Sequence, residues 1–362
     1  MSDEKIVITK RDLSDPKIQN IIVQEKAARK PLSAEQRAPI QTGLILNPIF
    51  YTGTAGTIGA LAAWALLEPL INKTGGHEDG IGLTLLFPVT AAIIGLFVGL
   101  VEGIMSRNFL KAFRCGGIGL GIGLAWGTII LLPANWIYIL LCQAGCILFP
   151  PPPHKPHQLN DFFPKGGLLF MLMTARTTAW TLIAGGMGLG QGIALASKKL
   201  VMNGIAGGLL GGFLGGLLFD PIGLLMHTIQ GSSANGEFSR MVGIMVIGML
   251  VGVFLGLVEN LSKEAWFIMK SGPLRGKQFV VYTNPMIIGS SPKSDIYIFK
   301  DPSVEPKHAE VFQVGTKLEI RDLKSPEGVF VNGSRVERKF LESGDIVVIG
   351  ESVLEFRQKE VG

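Results

Sequence analysis

The chain has 362 residues, 48% of them hydrophobic and 17% charged, with 48 glycines and a net charge of +5. It is long enough for two or three domains and too apolar for an ordinary soluble protein, so an integral membrane part with a soluble appendage is expected. No basic face stands out, which argues against nucleic acid as a partner, and Cys115, Cys142 and Cys146 form no metal or redox signature and read as structural.

Residues 1–42 alternate charged and short apolar stretches, with Pro16, Pro31 and Pro39 limiting any helix. They read as a cytosolic N-terminal tail, with one short helix around Ile18 to Arg29. Without an apolar leader, the first membrane helix is expected to direct insertion. Asn47-Pro48-Ile49-Phe50-Tyr51 then supplies the aromatic pair typical of a membrane interface.

A glycine-rich transmembrane domain is placed at 43–266, with six apolar spans at about 53–71, 83–105, 116–137, 168–196, 203–225 and 241–261. Each is near the roughly 20 residues a helix needs to cross the hydrocarbon core. Small residues recur every fourth position, as in Ala55/Gly59/Ala63, Gly119/Gly123/Gly127 and Gly204/Gly208/Gly212/Gly216. Such stripes let helix backbones approach closely in lipid, so a tightly packed bundle or homo-oligomer is expected.

The octet Gly95-Leu-Phe-Val-Gly-Leu-Val-Glu102 returns as Gly252-Val-Phe-Leu-Gly-Leu-Val-Glu259, and Glu68-Pro69 is echoed by Asp220-Pro221. An acid followed by proline thus closes the odd helix, and Gly-x-x-Glu the even one. A middle copy is degenerate, with Leu132-Pro133 lacking the acid and Gln191 replacing the carboxylate. Three tandem hairpins in parallel register follow. Loop charges orient them: Arg107, Lys111, Arg114, Lys198, Lys199, Lys263, Lys270, Arg275 and Lys277 belong inside. Six spans with both termini cytoplasmic, in a bacterial inner (plasma) membrane, is the consistent reading. Ala134 to Phe149, apolar but beyond Pro133, is expected as an interfacial or re-entrant helix.

From about Gly272 the pattern changes to short alternating strands: Gln278–Tyr282, Asp295–Phe299, Ala309–Gln313, Lys317–Asp322, Val329–Val331, Ile346–Ile349 and Val353–Arg357. Asn284-Pro285, Val314-Gly315 and Asn332-Gly333 are turn chemistry, the last a strong hairpin signal. The fold class is therefore multi-domain: an α-helical transmembrane bundle of about six helices followed by an all-β sandwich at 272–358.

The β segment resembles a forkhead-associated (FHA) domain through Ile288-Gly289, Ser291-Pro292, Asp295-Ile296, Asp301-Pro-Ser-Val304, Lys307-His308-Ala309, Gly328-Val-Phe-Val-Asn332-Gly333 and Gly344-Asp345. The resemblance implies a β-sandwich whose loops at one end bind phosphothreonine peptides: an arginine and a serine hold the phosphate and an asparagine holds the peptide backbone. It assigns partner binding to Ser290, Ser291, Lys293, Ser303, Glu305, Lys307, Asn332, Gly333 and Ser334, and a propping role to His308. Ser290 stands where the arginine would, and Glu305 where the serine would. A carboxylate repels phosphate, and no guanidinium remains to grip it, so phosphothreonine affinity is expected to be weak or absent.

The intramembrane polar residues Glu68, Glu102, Gln191, Asp220 and Glu259 leave two readings open. Ionisable side chains inside a span commonly mark an ion or substrate path. Near helix ends they also cap neighbours or pair with Arg107 or Lys263. Arg176 reads as snorkelling, and His154 and His157 as solvated loop residues. No metal site, cofactor motif or catalytic set emerges, and an enzyme is not expected. The leading function is a membrane-anchored scaffold that recruits a protein partner through a cytosolic FHA-like domain. The alternative is a small channel or transporter whose intramembrane acids line a path.

Overall fold

The computed structural model describes residues 43–74, 77–150, 166–230 and 236–359. The tail with its expected short helix, and His154 and His157, lie outside the described residues. The chain divides into a helical unit, 42–263, and a β-rich unit from Glu264 onward.

The helical unit consists of α1 (Pro48–Leu67), α2 (Ile81–Met105), α3 (Phe109–Leu148), α4 (Gly166–Ala184), the short α5 (Leu189–Ala194), α6 (Lys198–Gln230) and α7 (Gly236–Ser262). Counting α4 and α5 together, the described residues give six spans long and apolar enough to cross a membrane. A small hairpin, β1 (Asn72–Thr74) with β2 (His77–Asp79), joins α1 to α2.

The helices close into a ring, each packed on its two neighbours, with α7 returning to α1. Glycine-to-glycine crossings join one hairpin to the next. A Cβ on Gly95 of α2 would stand 2.7 Å from the Gly119 carbonyl of α3, and one on Gly188 would stand 2.7 Å from the Gly204 carbonyl of α6. Gly56 of α1 and Gly248 of α7 meet the same way. The glycine stripes are thus satisfied within one chain, where the loss of side chains is repaid in van der Waals contact between backbones. Trp180, Ile183, Ile247 and Val251 fill the core between them.

Two expectations are corrected, and a third element, the fourth span, is refined. Ala134 to Phe149 is no separate interfacial helix: α3 runs unbroken through Pro133 for 40 residues. In an apolar setting every surrendered backbone hydrogen bond is expensive, so the helix continues past a proline that would end it in water. For the same reason Asp220-Pro221 does not close its helix but lies inside α6, whereas Glu68-Pro69 does pass into a 3-10 turn at Glu68–Leu70. The fourth span is interrupted by turns between Ala184 and Leu189, where Gly185, Gly186 and Gly188 weaken the helix.

The β-rich unit is a two-sheet sandwich. One sheet has the order β10-β9-β12-β13-β3-β4 and the other β11-β8-β7-β5-β6. The strands are β3 (Ala265–Ser271), β4 (Gln278–Val280), β5 (Met286–Gly289), β6 (Ile296–Tyr297), β7 (Ala309–Val314), β8 (Lys317–Asp322), β9 (Val329–Val331), β10 (Ser334–Val336), β11 (Arg338–Phe340), β12 (Ile346–Ile349) and β13 (Ser352–Gln358). Pairing is antiparallel except between β5 and β6. Phe267, Met269, Ile288, Ile320, Val347 and Phe356 form the core between the sheets.

The sandwich begins at Ala265, not at 272: β3 sits inside its sheet, between β13 and β4. Ala-Trp-Phe-Ile-Met follows directly on an apolar helix, and a short apolar run carries no period that separates strand from helix. Asn332 (φ 51°) and Gly333 (φ 84°) make the β9–β10 turn, both in the left-handed region that this hairpin type requires.

Candidate functional site

The loops β5–β6, β6–β7 and β8–β9 come together at one end of the sandwich, and His308 ties the last two. Its ring is fully buried. Nδ1 accepts from the Glu305 backbone N–H at 3.2 Å, so Nε2 carries the proton and donates to the Gly328 carbonyl at 3.2 Å. The neutral ring is therefore spent on holding two loops, the propping role expected of it.

Gly289 ends β5 beneath this arch. A Cβ there would lie 2.9 Å from the Glu305 carbonyl, so only glycine lets the β6–β7 loop descend onto the strand. The result brings Ser290 and Glu305 side by side, the Ser290 N–H donating to the Glu305 carbonyl at 2.9 Å. Glu305, Lys293 and Lys307 are exposed, and Ser290 and Ser291 half-buried. Ser291 Oγ accepts from the Lys293 N–H at 3.2 Å, closing the β5–β6 turn. The face these residues offer is a hydroxyl beside a carboxylate, flanked by two lysines.

The remaining expected residues do other work. Ser303 donates its hydroxyl to Asp301 at 2.5 Å, and Asp301 in turn accepts the Glu351 N–H at 2.8 Å, so Ser303 belongs to a loop latch. Asn332, Gly333 and Ser334 occupy the far end of β9 from Gly328, away from Ser290 and Glu305. Asn332 Oδ1 accepts from the Ile346 N–H at 2.9 Å and Nδ2 donates to Asp345 at 2.6 Å. Its amide thus secures its own hairpin to the start of β12 instead of standing ready for a peptide backbone. At the recognition end the β8–β9 connection instead presents Pro326 and Glu327, both exposed, on a turn fixed by Ser325 and Asp322. The run Ser325-Pro-Glu-Gly328 is turn chemistry between two strands, a signal from which this loop was readable.

In the helical unit the four acids separate into two sets at opposite ends. Glu68 accepts from Arg240 Nε at 3.1 Å and Nη2 at 2.5 Å, and Asp220 pairs with Arg176. At the other end Glu102 accepts the Tyr51 hydroxyl at 2.7 Å and has Lys111 at 3.8 Å. Glu259 and Gln191 border a void of about 20 Å³, room for roughly one water. Gln191 Nε2 donates to the Val98 carbonyl at 3.2 Å. Arg176 therefore does not simply snorkel, and Glu68, Asp220 and Glu102 have Arg240, Arg176, Tyr51 and Lys111 among their partners. No group of three metal-ligating side chains exists among the described residues.

Comparison with known proteins places the β-rich unit. Residues 286–350 match the family model described as the FHA domain. Over 100 residues the chain is 35% identical to the glycogen accumulation regulator GarA of Mycolicibacterium smegmatis, covering 27% of this chain and 63% of that protein. It is 33% identical over 100 residues to an oxoglutarate dehydrogenase inhibitor of Corynebacterium jeikeium, covering 27% and 69% respectively. The chain thus spans less than two thirds of the first relative's length. A crystal structure of an FHA domain from Chlamydia trachomatis is 22% identical, with a TM-score of 0.25, and covers 27% of this chain and all of that one.

Proposed function

The chain belongs to the FHA-domain family through its C-terminal unit, and from that premise we propose that it is a membrane-anchored adaptor, not an enzyme, that recruits a protein partner through the loops around Ser290, Glu305 and Glu327. The observation that carries this reading is the joining of six span-length apolar helices to a domain whose family mediates protein–protein interaction. The helical unit supplies the anchor, its glycine crossings making it a stiff ring.

Recognition at this site runs through peptide or protein surface instead of phosphate. A phosphate carries about −1.5 to −2 charges at neutral pH and gains most from a guanidinium fork. Here it meets the Glu305 carboxylate and the short Ser290 hydroxyl, with Lys293 and Lys307 as point charges on flexible stems. The scaffold reading is favoured over the transporter reading by the division of the acids between two ends, each set with its own partners.

Fluorescence-polarisation titration of paired peptides, identical except for phosphorylation of one threonine, tests the reading. The native chain is expected to bind both forms alike, and Ser290→Arg with Glu305→Ser to gain at least about tenfold for the phosphorylated one, the worth of one charge-assisted pair. A native preference of tenfold or more for phosphothreonine would overturn it.

A further inference from the structure

The end of the helical unit that holds the two arginine–carboxylate pairs also encloses a cavity of about 660 Å³, within the range of small-molecule sites. Its apolar wall includes the aromatic group Phe87, Trp180 and Phe219, with Trp180 edge-on to Phe87 at 5.2 Å between centroids and stacked on Phe219 at 6.3 Å. Its polar wall centres on Arg176, Asp220 and Arg240.

Arg240 is taken up by Glu68 through two hydrogen bonds. The other pair is incomplete. Asp220 is 8% exposed, and while Oδ1 accepts from Arg176, Oδ2 is buried without a hydrogen-bond partner. A buried carboxylate oxygen lacking a donor is costly, so Asp220, which lines the cavity, calls for an N–H or O–H. Arg176 lies over the Phe219 ring at 5.7 Å and keeps 38% of its side chain exposed, with guanidinium donors beyond the one given to Asp220. An unmet acceptor and spare donors therefore belong to two bonded residues that line a largely apolar chamber.

The two arginine–carboxylate pairs are each formally neutral, and an occupant with net charge would bring an uncompensated charge beside them into a desolvated place. We propose that the cavity is a binding site for a zwitterion with an apolar body: a primary ammonium donates to Asp220 Oδ2, an anionic group takes the spare donors of Arg176, and the apolar part lies against Trp180 and Phe219. Two sources carry that chemistry, a phosphatidylethanolamine lipid and a soluble amino acid with an apolar side chain. The site is independent of the FHA domain, and its test leaves the adaptor reading untouched.

The experiment uses the full-length chain, purified in detergent and delipidated. Native mass spectrometry compares phosphatidylethanolamine, phosphatidylcholine and phosphatidylglycerol of one acyl composition, and calorimetry compares L-leucine with N-acetyl-L-leucine. One saturable site is expected, at least tenfold tighter for phosphatidylethanolamine than for the two lipids that lack an N–H donor on an ammonium, if the source is lipid. If the source is soluble, L-leucine binds at least tenfold tighter than its acetylated form. Asp220→Asn should erase the discrimination, and Gly223→Phe, which adds a ring to the lining of the chamber, should remove the saturable site. The head-group comparison on the native chain decides the matter even if Asp220→Asn fails to fold. Equal binding of all three lipids with no binding of L-leucine, or full binding by Gly223→Phe, would overturn the proposal.

Discussion

Replacing Arg240 by leucine isolates the energetics of the helical ring. Arg240 and Glu68 are 12% and 10% exposed, and the guanidinium reaches the carboxylate through Nε at 3.1 Å and Nη2 at 2.5 Å. With the charge centres about 4 Å apart and an effective dielectric near 20, their attraction is about 4 kcal/mol. Arg240→Leu takes both of these hydrogen bonds from the buried Glu68, and breaking a buried pair from one side costs about 3–5 kcal/mol. Glu68→Leu should cost a similar amount by taking this carboxylate from the arginine. The double variant, which removes both charges, should return to within about 1 kcal/mol of the native chain, because the pair's desolvation cost disappears along with its attraction. Unfolding of the four proteins in mixed micelles, arranged as a double-mutant cycle, measures this directly. If each single change costs less than about 1 kcal/mol, or if the double variant is as unstable as the sum of the two, the pair is not the buried, mutually dependent unit described.

Two other outcomes follow from local geometry. Gly56→Val drives a side chain into the Gly248 backbone at the α1–α7 crossing and should destabilise the ring by about 3 kcal/mol or more, whereas Gly121→Ala, with nothing within 4 Å, should be neutral or gain up to about 1 kcal/mol; thermal unfolding of the pair checks both. Asn332→Ala forfeits the bonds to Asp345 and Ile346 at a position of positive φ, and should cost about 2 kcal/mol. That lowers the melting temperature of the β-rich unit by roughly 8–16 °C, with peptide binding at the Ser290–Glu305 end unchanged. A loss of binding without loss of stability would return Asn332 to the recognition surface.

Much of the architecture was legible because its signals are local and strong. Six long apolar runs and glycine at every fourth position specify packed helices with few competing readings, and the ring's three inter-hairpin crossings use those very stripes. Helix ends were less legible. Pro133 and Pro221 stop a helix in water, but an apolar environment raises the cost of the alternatives, so α3 and α6 run on. The first strand of the sandwich was hidden because Ala265–Ser271 follows an apolar helix with no intervening turn signal. Short edge strands such as β10 and β11 carry too little pattern to stand out.

At the recognition end the adjacency of Ser290 and Glu305 followed from the resemblance, while Asn332 was misplaced. An asparagine before glycine serves hairpin chemistry as well as recognition, and only strand direction, set by the His308–Gly328 bond at the opposite end of β9, separates the two. The ion partners were also out of reach of sequence reasoning. Glu68 and Arg240 are 172 residues apart, and Arg176 and Asp220 lie 44 apart on different hairpins, so only closure of the ring joins them.

The proposed arrangement, a cytosolic FHA domain carried by six membrane-crossing helices, is put to the test by labelling a single cysteine at position 293 with a membrane-impermeant maleimide. Lys293 is exposed, and Cys115, Cys142 and Cys146 are replaced by alanine in the same protein to remove background. The chain is expected to stay with the membrane through an alkaline carbonate wash and to be labelled at Lys293→Cys in inside-out vesicles but not in right-side-out ones. Release by the wash, or labelling from the outer face, would contradict it.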